Sequence, residues 1–169
     1  PFVSLFLLTL LAAQFGGLAK AAKTKPPEGF TALYDGESLD GWNYLPSKIS
    51  TLWKADSKNG TLGRVAQNGA IWTNDTYSDF LLDLEFKLSR GCNSGIFIRS
   101  DPNNPVQAGF EIQLFDSHDK EVIGSHDCGA LYDAVIPSKN AVKPVGEWNR
   151  IQVRCKGPII QVTLNGERI

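Results

Sequence analysis

From Phe30 onward the chain alternates apolar and polar positions in short runs, and clusters of Gly, Asn, Asp and Pro cut the runs apart. A period of two marks half-buried strands, and no stretch sustains the 3.6-residue period of a helix. The runs predict strands over 31–34, 53–55, 61–65, 70–73, 80–88, 94–99, 109–115, 129–132, 148–155 and 159–164. Asn59-Gly60 and Asn165-Gly166 are tight-turn dipeptides, because both residues tolerate positive φ. Short strands with polar connections read as an all-β, two-sheet antiparallel β-sandwich. The last hairpin opens at Asn165-Gly166 and the sequence stops at Ile169, so a C-terminal strand is expected to be missing.

The N-terminal stretch has another pattern. Residues 2–13 (FVSLFLLTLLAA) form an apolar run, followed by small residues and an A-x-A signal at Ala19-Lys20-Ala21. A run this short falls below the roughly 20 residues of a membrane span and suits a signal peptide. The reading is a signal peptide over 1–22, incomplete because no basic stretch precedes Pro1, then a disordered arm over 23–29 and one domain over 30–169. It implies export to the periplasm, outer surface or medium, with no stable membrane insertion once the signal is removed. The signal segment is not expected to pack on the domain.

The 169 residues are 42% hydrophobic, enough for one core. Seventeen basic residues against eighteen acidic ones leave a net charge of −1, which speaks against nucleic acid as a partner. Cys92, Cys128 and Cys155 are too few and too dispersed for a disulfide framework or a zinc knuckle. One bridge with a leftover thiol and three unpaired core cysteines both remain open.

Chemistry concentrates in the runs 80–88, 94–99 and 109–115, read as neighbouring strands. Asp83, Glu85 and Lys87 alternate with Leu84, Phe86 and Leu88; Phe97 and Arg99 alternate with Ile96 and Ile98; Glu111 and Gln113 alternate with Ile112 and Leu114. Asp83 and Lys87 read as a solvated face. Glu85, Arg99, Glu111 and Gln113 are expected on one concave face, where clustered ionisable groups form a site. Glu111 and Gln113 stand about 6.6 Å apart along their strand. Asp116 would join them only if a β-bulge returned it to that face. With the bulge, E-x-Q-x-x-D resembles the E-x-D-x-x-E motif of laminarinase-type glucanases.

A longer resemblance runs from Gly29 to Ile169. It is carried by the segments GFTALYDGESLDGW (29–42), IWT (71–73), YSDFLLDLEF (77–86), NSGIFIR (93–99), GFEIQ (109–113), GALY (129–132), PVGEWN (144–149) and LNG (164–166). In this order and spacing the chain resembles the 3-keto-disaccharide hydrolase family, exported bacterial domains with a concanavalin-A-like jelly roll. The family usually continues into a Gly-Leu-Gln-x-His-Gly-like strand, absent here. The resemblance implies cleavage of glycosides already oxidised to a ketone at C3. That ketone acidifies the C2 hydrogen, so elimination of the C1 substituent and hydration give net hydrolysis. The reaction needs a base at C2, a donor or cation at the ketone oxygen and an acid at the leaving oxygen. Residue chemistry offers Glu111 as base, Arg99 for the enolate, Gln113 for substrate hydroxyls and Asp116 as acid. Asn93, Ser94, Trp72, Tyr132 and Glu85 are candidates for binding a sugar, whereas Trp42, Trp53 and Trp148 read as core.

Other readings stay open. His118 and His126, near Asp116, Asp119 and Asp127, could hold a divalent metal, although their spacing matches no familiar ligand pattern. A non-catalytic, lectin-like carbohydrate-binding module is one alternative function. A retaining glucanase using Glu111 and Asp116, about 5–5.5 Å apart, is another.

Overall fold

The computed structural model describes residues 3–7, 26–43, 53–64 and 69–169. Its strands in chain order are β1 Val3–Leu7, β2 Phe30–Ala32, β3 Trp42–Asn43, β4 Trp53–Asp56, β5 Thr61–Arg64 and β6 Trp72–Thr73. They continue as β7 Phe80–Lys87, β8 Asn93–Ile98, β9 Phe110–Phe115, β10 Trp148–Lys156, β11 Ile159–Leu164 and β12 Glu167–Arg168. The described residues contain no helix, hence none long and apolar enough to cross a membrane.

The largest sheet has the order β12-β11-β10-β7-β1-β2. Its centre is the antiparallel pair β7–β10, in register from Trp148 opposite Lys87 to Cys155 opposite Phe80. Alternation explains which side is buried. Leu82, Leu84 and Phe86 of β7 share a face with Ile151, Val153 and Cys155 of β10, and the three β10 residues have no solvent exposure. This face meets Ile98 of β8 and Ile112 and Leu114 of β9 in one apolar cluster. The six-stranded sheet and the β8–β9 sheet face each other across one core, a β-sandwich as the alternation predicts, and β3–β6 and β4–β5 form two further two-stranded sheets. Each fully buried Ile, Val or Leu stabilises it by about 1.5–3 kcal/mol.

Asn149 is the exception on the core face of β10. It is 1% exposed, and its Oδ1 accepts from Lys143 N at 2.9 Å and from Asn165 Nδ2 at 2.8 Å. Asn165 and Gly166 both take positive φ, the conformation that a two-residue hairpin turn between β11 and β12 requires.

The second sheet carries the chemistry. β8 and β9 pair antiparallel, with Gly95 opposite Gln113 and Phe97 opposite Glu111. Segment 129–132, expected as a full strand, is reduced to isolated bridges of Leu131, to Ile112 and to Val135. Backbone bonds from Gln113 N to Ala130 O (2.9 Å), Gly129 N to Gln113 O (2.8 Å) and Tyr132 N to Glu111 O (2.9 Å) still lay it along β9.

Several expectations are corrected. β7 belongs to the opposite sheet, so runs 80–88 and 94–99 are not neighbours; alternation defines faces but not partners. Asp83 is 2% exposed rather than solvated, since Arg150 binds it through Nε (2.8 Å) and Nη2 (2.6 Å) and Gln152 Nε2 binds it at 2.8 Å. Trp42, Trp53 and Trp148 are half-buried, outside the core cluster. Trp42 and Trp53 donate their indole N–H to Leu33 O (2.7 Å) and Gly69 O (3.2 Å), and Lys87 Nζ lies 5.0 Å from the Trp148 ring centroid.

Within the segment read as a signal, the backbone of Val3–Leu7 pairs with strands of the domain. It pairs parallel with Phe80–Leu84 on one side and with Phe30–Ala32 on the other. A strand of β-prone apolar residues satisfies the backbone groups that the β7 edge would otherwise leave open. In the expected arm, Phe30 N donates to Pro27 O at 3.0 Å and closes a turn. Residues 23–25 and 65, like 8–22, lie outside the described residues.

Candidate active site

The face of β8–β9 turned away from the core presents Asn93, Gly95 and Phe97 beside Glu111, Gln113 and Phe115. Segment 129–132 extends it: with Leu131 opposite Ile112 on the core side, Ala130 and Tyr132 fall on the Glu111 side. Tyr132 therefore stands directly opposite Glu111 on one flank, as Phe97 does on the other.

Glu111 reaches over Gly95. A Cβ placed on Gly95 would collide with Glu111 Oε1 and lie 2.7 Å from its Cγ and Cδ. Glycine in mid-strand often marks such a close approach, and here it provides the niche for a carboxylate. The Glu111 carboxylate makes no hydrogen bond or ion pair among the described residues, and burial pushes its pKa above the ordinary carboxylate range. An unpaired, partly desolvated carboxylate is a stronger base than a solvated one. It opens on a cleft of about 2170 Å³, lined in part by Trp72, Asn93, Gly95 and Phe97, that reaches between the sheets to Leu82 and Leu84.

Aromatic pairs bracket the carboxylate. Trp72 stacks on Phe97 with centroids 5.8 Å apart and planes at 22°. His126 stacks on Tyr132 at 4.5 Å and 14°, and its Nε2 lies 3.1 Å from Asp133 Oδ1. Beneath Glu111, Gln113 is 1% exposed and donates through Nε2 to Asn93 Oδ1 at 3.1 Å. Gln113 Oε1 and Trp72 Nε1 are buried without a partner among the described residues. One unmet acceptor and one unmet donor, both closed off from solvent, each carry a desolvation cost.

The structure sets Gln113, Asn93, Trp72 and Tyr132 around Glu111; of these, Asn93 and Trp72 line its cleft, whose far walls also reach Glu85, Ser94 and Arg99. Glu85 lies in the other sheet, on its outward face opposite Arg150, and its pKa is raised chiefly by burial. Ser94 alternates to the core side of β8. Arg99 has φ of 50°, which breaks the alternation, and its guanidinium turns to the sheet ends. It donates to Ser78 O through Nε (3.0 Å) and Nη2 (2.8 Å), to Gly157 O through Nη1 (2.6 Å), and pairs with Asp79 at 3.2 Å. Arg99 is a clamp between strand ends. Arg99→Gln is expected to cost about 1–2 kcal/mol, modest because the groups are half solvated, while turnover stays within about twofold. Chemical denaturation alongside kcat checks this; a collapse of kcat at full stability would return Arg99 to the chemistry.

Asp116 is also withdrawn from the site. The β8–β9 register is regular through Asn93 opposite Phe115, so no bulge precedes Asp116. Its Oδ2 accepts from Gly91 N at 2.8 Å. Five residues of strand put its backbone about 17 Å from that of Glu111, on the opposite face, far beyond the roughly 5.5 Å of a retaining pair.

His118 Nδ1 lies 2.8 Å from Val142 O, away from His126. No group of three or more His, Cys, Asp or Glu among the described residues could hold a metal. The three cysteines are unbridged, and burial is the main cause that pushes the Cys128 thiol up to about 11, so it stays protonated. Phe97, Gly95 and His126 complete the site. Parity with Glu111 marks Phe97 and a mid-strand glycine marks Gly95; nothing local in sequence marks the stacking of His126 on Tyr132.

Fold and site together define a β-sandwich with an unpaired, partly buried carboxylate on the outward face of its β8–β9 sheet. Residues 29–169 match the family described as the 3-keto-alpha-glucoside-1,2-lyase-like domain, and the chain belongs to that family. A relative from Bacteroides thetaiotaomicron named 3-keto-disaccharide hydrolase is 27% identical over 160 residues, covering 79% of this chain and 55% of its own length. The chain thus spans about half of that curated relative. Two crystal structures of candidate glycosyl hydrolases from Parabacteroides distasonis are also similar. One has a TM-score of 0.72 at 24% identity, over 82% of this chain and 69% of the other; the second has 0.69 at 34%, over 78% and 66%.

Proposed function

We propose that this protein cleaves glycosides carrying a ketone at C3, with Glu111 as the base that removes the C2 proton. The observation that carries the reading is the Glu111 carboxylate itself: unpaired, raised in pKa, seated over Gly95 and flanked by aromatic pairs. Family membership supports it, because a 1,2-lyase on a 3-keto-glucoside removes the C1 substituent across C1–C2. The ketone makes C2–H acidic enough for a carboxylate, which an unoxidised sugar does not. The Trp72–Phe97 pair packs against a ring face. Addition of water across the resulting double bond completes net hydrolysis. The apolar run and A-x-A signal before residue 22 support export to the periplasm, outer surface or medium.

A panel of matched substrates tests the reading. The 3-keto glycosides are expected to be cleaved and their unoxidised parents left intact. Equal cleavage of both would contradict it, and binding without cleavage would favour a lectin-like module.

A further inference from the structure

Elimination needs a second proton relay. Once Glu111 holds the C2 proton, the oxygen leaving C1 must take a proton from elsewhere, and Asp116 is held at Gly91 N. We propose that Tyr132 is the group that protonates the leaving oxygen and later activates water. This inference rests on Glu111 being the base.

Tyr132 stands directly opposite Glu111, its backbone N–H bound to the Glu111 carbonyl at 2.9 Å. Facing side chains in such a pair have Cβ atoms about 4.5–5.5 Å apart, so a carboxylate and a phenol lie side by side and can reach neighbouring atoms of one sugar ring laid over them. The Tyr132 hydroxyl has no partner among the described residues, and the residue is 38% exposed. Its ring is fixed by the His126 stack, and His126 is held by Asp133, which adopts a left-handed φ of 60°. A free phenol on a fixed ring beside the base can give and take back a proton.

The protons balance. Glu111 takes the C2 proton, the C2–H pair becomes the C1=C2 bond, and the C1–O pair departs with the oxygen, which takes the Tyr132 proton. Water then adds at C1 and gives a proton to the Tyr132 phenolate, while Glu111, whose carboxyl proton exchanges with solvent before water adds, protonates C2. Both groups are reset and water is the sole co-reactant.

The test is Tyr132→Phe, which keeps the stacked ring and removes only the hydroxyl. Turnover of 3-keto glycosides with a sugar or methyl leaving group is expected to fall about 10²–10⁴-fold. With 4-nitrophenolate, which leaves without a proton, the loss should stay within about threefold. C2 hydrogen exchange with solvent should persist in the variant. Wild-type rates on every substrate, or an equal loss across leaving groups, would overturn the role of Tyr132 while wild-type exchange left Glu111 standing. Absence of exchange in the wild-type protein would sink the base and this inference together.

Discussion

Glu111→Gln is expected to lower turnover of a 3-keto glycoside by about 10²–10⁴ and, at the same time, to make the protein more stable at neutral pH. The first effect is the usual worth of a general base, since glutamine keeps shape and hydrogen bonding but accepts no proton. Binding should weaken far less than kcat, because the loss falls in the transition state. The second effect follows from the raised pKa, caused by burial. The folded protein holds the Glu111 proton more tightly than the unfolded chain does. The cost of burying the carboxylate is therefore absent below the unfolded pKa and complete above the folded one. The Tm of the variant should exceed wild type at pH 7, with the gain fading towards about pH 3. Lost activity with lost stability at pH 7 would mean that Glu111 is a structural residue.

Gly95→Ala is expected to reduce kcat by about 10²-fold without unfolding the protein. The new Cβ would meet Glu111 Oε1, Cγ and Cδ. These atoms end a flexible side chain and can swing aside, so the fold survives and the carboxylate is displaced. A displacement near 1 Å can cost a hundredfold in a positioned reaction. Gly95 is not among the glycines at positive φ. Alanine can therefore adopt its backbone and should add about 0.4–1 kcal/mol by restricting the unfolded chain. Kinetics and thermal melts on the same sample check both signs; an unchanged kcat would mean that the position of Glu111 is immaterial.

Most strands, and half of the site, were legible in sequence for one reason. A period of two assigns side chains to faces, and Glu111 and Gln113 share theirs whatever strand lies beside them. Pairing is not written in that period. Nothing in run 80–88 says that its partner is β10, in the sheet opposite β8–β9, so alternation alone does not separate Glu85 from the Glu111 face. Alternation also ends where the backbone leaves the extended region, as at Arg99, whose positive φ turns the guanidinium to Ser78 and Gly157. Asp116 needed a bulge that the regular register excludes. Val3–Leu7 has the composition of a signal run and equally that of a strand paired on both sides, and composition cannot separate the two. The Tyr132–His126 stack depends on a loop conformation that no local pattern encodes.

The central claim is proton abstraction at C2 by Glu111, and solvent deuterium at that carbon measures it most directly. When the protein acts on a 3-keto glycoside in D₂O, NMR should show deuterium at C2 of the released sugar from wild type, and at least a hundredfold slower appearance with Glu111→Gln. Glycoside cleavage by wild type with C2 hydrogen fully retained would contradict the account.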